Sequence, residues 1–185
     1  MKNLFLLFSL SLVILTACPS TPKRAVNDSG MMYGMVYDYD NSPVYGASIY
    51  INGIKYIESD LQGRFILKFI RNTKYNIKIV KSGYENIESA FSFDPMNVLY
   101  FKIINASQLL TQAEEAVEQY NYTQAETLLK RAIALEPNRP DILYLYSIVL
   151  YFQQRNDEAK AILLGLNKRG INGEHITELL KMLDE

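Results

Sequence analysis

The sequence predicts an all-β domain followed by an all-α domain: a small antiparallel β-sandwich of about seven strands, then a two-repeat helical array with a C-terminal capping helix. Three observations carry this reading. Apolar residues alternate with period two from Gly30 to Asn105, broken by turn residues. Beyond Asn105 the apolar period lengthens to that of a helix. Within this second part the pattern recurs after 34 residues, so that Ala106 falls on Pro140.

The chain opens with Lys2 and an apolar run from Leu4 to Leu15. A bilayer span takes ~20 apolar residues, so this run reads as a secretory leader. It closes at Leu15-Thr16-Ala17-Cys18, which holds the only cysteine in the chain. This ending resembles the lipobox of bacterial lipoproteins, Leu-x-small-Cys. The resemblance implies a diacylglycerol on the Cys18 thiol, cleavage before Cys18 and acylation of the new amine. Residues 1–17 are then the signal peptide, and residues 18–29, rich in Pro, Ser and polar residues, a tether. Pro19 differs from the aspartate that retains enterobacterial lipoproteins at the inner membrane, so the expected location is the cell envelope, at the outer membrane. The competing reading is an ordinary secretory leader with a chance cysteine.

The 185 residues carry 19 Lys and Arg against 20 Asp and Glu, a net charge of −1. That balance leaves no electrostatic footprint for nucleic acid. A single cysteine excludes an intrachain disulfide. Eight basic and seven acidic residues lie between Gly30 and Asn105, and eight basic and twelve acidic beyond. This shift coincides with the change of period, which sets the domain bounds at 30–105 and 106–169, with 170–185 as the cap.

Each strand has its own signal. Tyr33, Met35 and Tyr37 share one face of the first, and Ala47, Ile49 and Ile51 one face of the second. Asn52-Gly53 is a hairpin turn in which both residues need positive φ, and Ile54 to Glu58 returns from it. Asp60-Leu61-Gln62-Gly63 turns into Arg64 to Phe69. Tyr75, Ile77 and Ile79 alternate, and Ile87 to Phe93 and Asn97 to Ile104 complete the set. The runs Gly34-Met35-Val36-Tyr37-Asp38, Pro43 to Gly53, Ser59 to Phe65 and Tyr75 to Tyr84 resemble the carboxypeptidase regulatory-like (transthyretin-like) β-sandwich. That family implies an accessory or adhesion-like domain without catalysis. Asp38, Asp40 and Asp60 could cluster oxygens for Ca²⁺. The turn positions favour local side-chain to backbone bonds instead, and no metal or cofactor is expected.

In the helical part, Leu109, Ala113 and Ala116 repeat as Leu143, Ser147 and Leu150, and Ala125, Leu129 and Ala132 as Ala159, Leu163 and Leu166. These positions resemble two tetratricopeptide repeats. Ala113, Tyr122, Ala125, Leu129, Ala132 and Pro137 stand at the family's small, aromatic and proline positions. In the second copy Asn156 replaces the aromatic and Leu166 a small residue. Ile176, Leu179, Leu180 and Leu183 form the apolar face of a capping helix expected to lie on the fourth helix. His175, the only histidine, has no second ligand to join and reads as a surface residue.

The resemblance implies that the first helix of each repeat lines a concave groove. The groove positions become Ser107, Leu110, Glu114, Val117 and Glu118, then Asp141, Tyr144, Ile148, Tyr151 and Phe152. The second set is apolar and aromatic, which suits a protein or peptide partner anchored by Tyr144, Tyr151 and Phe152. Alternatively, the cap or the β-module covers these residues as core. Neither paired catalytic groups nor a phosphate-binding loop is legible, so no enzyme and no small-molecule substrate is expected. The expected function is a membrane-anchored interaction scaffold in the bacterial envelope. The alternative is a surface-exposed lipoprotein whose sandwich binds host or extracellular ligands or cell-wall glycan.

Overall fold

The computed structural model describes residues 29–70, 74–94 and 96–184. The expected signal peptide, Cys18 and the expected tether up to residue 28 lie outside the described residues. Seven strands come first: β1 (Ser29–Asp38), β2 (Ser48–Ile51), β3 (Ile54–Glu58), β4 (Arg64–Ile70), β5 (Lys74–Val80), β6 (Ile87–Ser92) and β7 (Val98–Ile103). Five helices follow: α1 (Ala106–Glu118), α2 (Tyr122–Leu135), α3 (Pro140–Phe152), α4 (Asn156–Lys168) and α5 (Glu174–Met182).

The strands form two sheets, ordered β4-β1-β7 and β3-β2-β5-β6. Every pairing is antiparallel except β1 with β7, which is parallel. The small antiparallel β-sandwich expected from the sequence is observed, with this one parallel pair within it. Chain direction alternates from strand to strand, so six reversals leave β7 running the same way as β1. Inward positions alternate as the period demands: Met32 and Val36 on β1, Phe65, Leu67 and Phe69 on β4, Ile77 and Ile79 on β5, Phe101 and Ile103 on β7. Gly34 faces inward too, where the Phe65 ring lies so close that a Cβ would meet it at 2.0 Å. The Asn52-Gly53 hairpin has φ of 49° and 84°. Asp38 accepts the amides of Asp40 and Ser42, both at 2.9 Å, and Asp60 those of Gln62 and Arg64 at 2.9 and 2.8 Å. These carboxylates close their own turns.

The helices repeat in space as they do in sequence. Ala106, Pro140 and Glu174 begin α1, α3 and α5 at intervals of 34 residues, and α2 and α4 keep the same interval at Tyr122 and Asn156. The turns match as well. Tyr120 (φ 57°) and Gln154 (φ 62°) are both left-handed, followed by bonds Asn121 N to Ala116 O at 2.8 Å and Arg155 N to Leu150 O at 2.9 Å. The capping helix is thus the first helix of a third unit. It packs through Ile176 and Leu179 onto Leu163 and Leu166 of α4 and onto α3 as well.

Strand passes to helix with only Ile104 and Asn105 between them. Asn105 caps α1: its side chain accepts the Gln108 amide at 2.9 Å, and Gln108 Oε1 accepts the Asn105 amide at 3.2 Å. The other end of the Gln108 amide donates to Asp40 Oδ2 at 2.5 Å. Arg131 grips Glu85 through two bonds of 2.8 and 2.7 Å, and the Glu85 amide donates to Ile104 O at 2.9 Å. The sandwich and the helices are therefore tied at three points. Gln108→Ala removes half of a capping box and a charge-assisted bond at a buried position. It should cost about 2 kcal/mol, read as a shift in denaturant midpoint at unchanged slope.

Candidate functional site

The candidate surface is built from α1, α3 and α5, the first helices of the three 34-residue units. Not all of the sequence-derived groove residues lie open on it. Leu110 is buried in the core formed by α1, α2 and α3, and Val117 is half-buried against the same cluster. Glu114 and Glu118 are exposed. Asp141 is exposed but engaged: Arg139 Nε and Nη2 donate to its two oxygens at 3.0 and 2.9 Å. The same guanidinium reaches Ser107 Oγ at 2.7 Å, so the start of α3 is stitched to the start of α1.

Tyr144, Ile148 and Tyr151 are half-buried against Leu163, Leu166, Ile176 and Leu179. The Tyr144 ring meets His175 edge-on at 4.7 Å. Burial pushes the Tyr144 phenol upward from its ordinary value, and the nearby charge of Glu178 adds to this. The cap therefore takes up part of the apolar surface of α3. It leaves Phe152 half-exposed at the end of α3. The Phe152 ring stacks on Tyr122 of α2, with centroids 4.9 Å apart and planes within 12°, and touches Tyr151 at 5.6 Å. Tyr122, Tyr151 and Phe152 form an aromatic platform that bridges the two repeats.

An ion cluster braces this platform from behind. Glu126 on α2 accepts Arg155 Nη1 at 2.7 Å and pairs with Lys130 at 2.7 Å. Arg155 also makes two bonds of 2.7 Å to Glu158, and Gln153 donates to Tyr122 O at 3.2 Å. Hydrogen bonds from Lys130, then Arg155, hold the Glu126 carboxyl down at about 2. Tyr122, Arg139 and His175 are absent from the groove read in the sequence. Extending the 34-residue interval one step to Glu174 finds the helix that carries His175, whereas the roles of Tyr122 and Arg139 needed the packed helices.

A sequence model of the tetratricopeptide repeat family matches residues 116–180. No curated protein matches the chain. Among solved structures, similarity is found to the Bacillus anthracis TIE protein, at 17% identity, with 42% of this chain and 17% of that chain covered and a TM-score of 0.36. It is also found to 3-chlorocatechol 1,2-dioxygenase from Rhodococcus opacus 1CP, at 15% identity, 42% and 59% coverage and a TM-score of 0.33. BcpA, the major pilin subunit of Bacillus cereus, matches at 13% identity, 42% and 28% coverage and a TM-score of 0.33. The chain spans less than two thirds of the length of each of these proteins.

The ion cluster has a pH signature. The Glu126 carboxyl is held at about 2 in the fold, against 4.5 as the ordinary value. A depressed carboxylate adds stability that is fully present above the unfolded pKa and is lost as pH falls toward the folded one. Glu126→Gln should therefore destabilise by about 1 kcal/mol at neutral pH, and the gap in melting temperature to the unaltered chain should close between about pH 4.5 and pH 2.

Proposed function

We propose that the chain is a non-catalytic interaction scaffold, anchored by lipid at Cys18 in the bacterial envelope, that grips a protein partner through its helical repeats. The observation that carries this reading is the half-exposed Phe152 stacked on Tyr122 with Tyr151 beside it. Aromatic side chains held rigid at a surface are the usual anchors of protein interfaces, because they bury large area at little entropic cost. The tetratricopeptide match over residues 116–180 supports the same assignment. Glu114, Glu118 and Glu178 are exposed on the first helices of the three units and favour a partner segment that is apolar with basic flanks. The sandwich, with its likeness in sequence to the carboxypeptidase regulatory-like type, serves as a spacer and second contact.

The lipid anchor rests on the lipobox Leu15-Thr16-Ala17-Cys18 after an apolar leader. Two or more acyl chains hold a protein at a membrane stably, where one does so only marginally. We place the anchor at the outer membrane. The non-catalytic reading rests on the residues: the one histidine packs against Tyr144, and the one cysteine is the acylation site.

Mass spectrometry of the chain isolated from cells should find Cys18 as its first residue, carrying acyl mass, and Cys18→Ser should move the chain into the soluble fraction. A photo-crosslinking residue at the exposed groove position 118 should capture a defined partner in cells. Phe152→Ala should weaken that partner's binding at least about tenfold in a chain whose melting curve stays cooperative. Unchanged affinity would remove the aromatic platform from the interface.

A further inference from the structure

The outward face of the β4-β1-β7 sheet is apolar. Met31 and Tyr33 of β1, Ile66 of β4, and Val98 and Tyr100 of β7 are all exposed, Tyr100 by 69% and Met31 by 61%. They are contiguous: Tyr33 pairs with Ile66 on one side and Val98 on the other, and Met35 pairs with Tyr100. A connected apolar face of this kind on a soluble domain marks a contact surface. Its charges share one sign. The outward charged residues of the three strands are Arg64, Lys68 and Lys102. The only acid in these strands is Asp38, which is buried and bonded to the amides of Asp40 and Ser42. Arg64 is paired with Asp60 at 3.0 Å, so Lys68 and Lys102 set the charge of the face. Toward the helical end, Met35, Tyr37, Tyr100 and Lys102 line a shallow depression of about 430 Å³.

Tyrosine rings, thioethers and lysines without acids are the composition of a surface that meets anionic lipid. Tyrosine sits at headgroup level with its ring toward the acyl chains, and lysine lays its stem on apolar surface while its ammonium reaches phosphate. A second copy of the chain fits poorly, because a symmetric contact would set the lysines against their own kind. The position of the face in the chain agrees. β1 begins at Ser29, eleven residues after Cys18, and a chain of that length reaches at most about 35–40 Å. The ten residues of β1 run about 33 Å along the face. A chain anchored at Cys18 therefore keeps this sheet within its own length of the bilayer.

We propose that the outward face of the β4-β1-β7 sheet seats on the anionic phospholipid surface of the membrane that holds the anchor. The proposal rests on acylation of Cys18. Tyr33 and Tyr100 enter the headgroup layer, and Lys68 and Lys102 meet lipid phosphates. The sandwich is thereby laid flat on the membrane.

The chain contains no tryptophan, so one substitution supplies a unique fluorescent reporter. The acylated full-length chain carrying Tyr100→Trp is reconstituted into phosphatidylglycerol–phosphatidylcholine vesicles with brominated acyl chains. Tyr56→Trp, on strand β3 of the other sheet, is the control. The expected result is that the reporter at position 100 loses most of its emission while that at position 56 keeps its own. Emission should recover in the Lys68→Glu, Lys102→Glu chain, in pure phosphatidylcholine vesicles, and at 1 M salt, where the screening length falls to about 3 Å. Equal emission from both reporters in an acylated, vesicle-bound chain overturns the docking and leaves the anchor standing. An unquenched reporter at position 100 that shifts to the blue with rising chain density shows a second copy on the face, and also overturns it. The anchor is read separately: unmodified Cys18 in the mass spectrum removes the premise.

Discussion

Two residues separate the last strand from the first helix, and the rest of the molecule depends on how that junction is held. Ile104 is buried in the helical core although it directly follows a strand of the sandwich. Its carbonyl takes the Glu85 amide, and Asn105 and Gln108 satisfy each other's backbone amides at the start of α1. A buried helix start without such partners would leave several donors unsatisfied. Here the capping side chain also reaches into the sandwich through Asp40. One glutamine thus closes a helix and joins two domains. The Arg131–Glu85 pair, more exposed, adds orientation more than stability.

This junction links two surfaces. The aromatic platform of Tyr122, Tyr151 and Phe152 belongs to the helices, and the tyrosine-rich sheet face belongs to the sandwich. With no flexible linker between them, a sandwich seated on lipid would present the helices in one orientation. A scaffold gains from such an arrangement, since a partner then docks at a defined height and angle above the membrane.

The recurrence of 34 residues has the same economy. Tyr120 and Gln154 adopt the same left-handed turn although their side chains differ, because each turn must reverse the chain within the same short distance. Non-glycine residues in that conformation cost of order 1 kcal/mol, so packing of the helix pairs holds them there. α5 continues the register and covers the end of the array, which in a stack of repeats must be closed before the core is shielded from water.

By itself the sequence determined the order and type of the elements, the Asn52-Gly53 hairpin and the 34-residue interval. All of these are written in residues close together, where period and turn chemistry act without reference to the rest of the chain. The tertiary structure decided the parallel pairing of β1 with β7, the burial of Leu110, the cap's contact with Tyr144 and the stacking of Phe152 on Tyr122. It also decided that Gln108 meets Asp40, 68 residues away. Helical periodicity marks a stripe as apolar but does not say which neighbour will cover it, and that is settled only when helices and sheets from distant parts of the chain compete for the same surface.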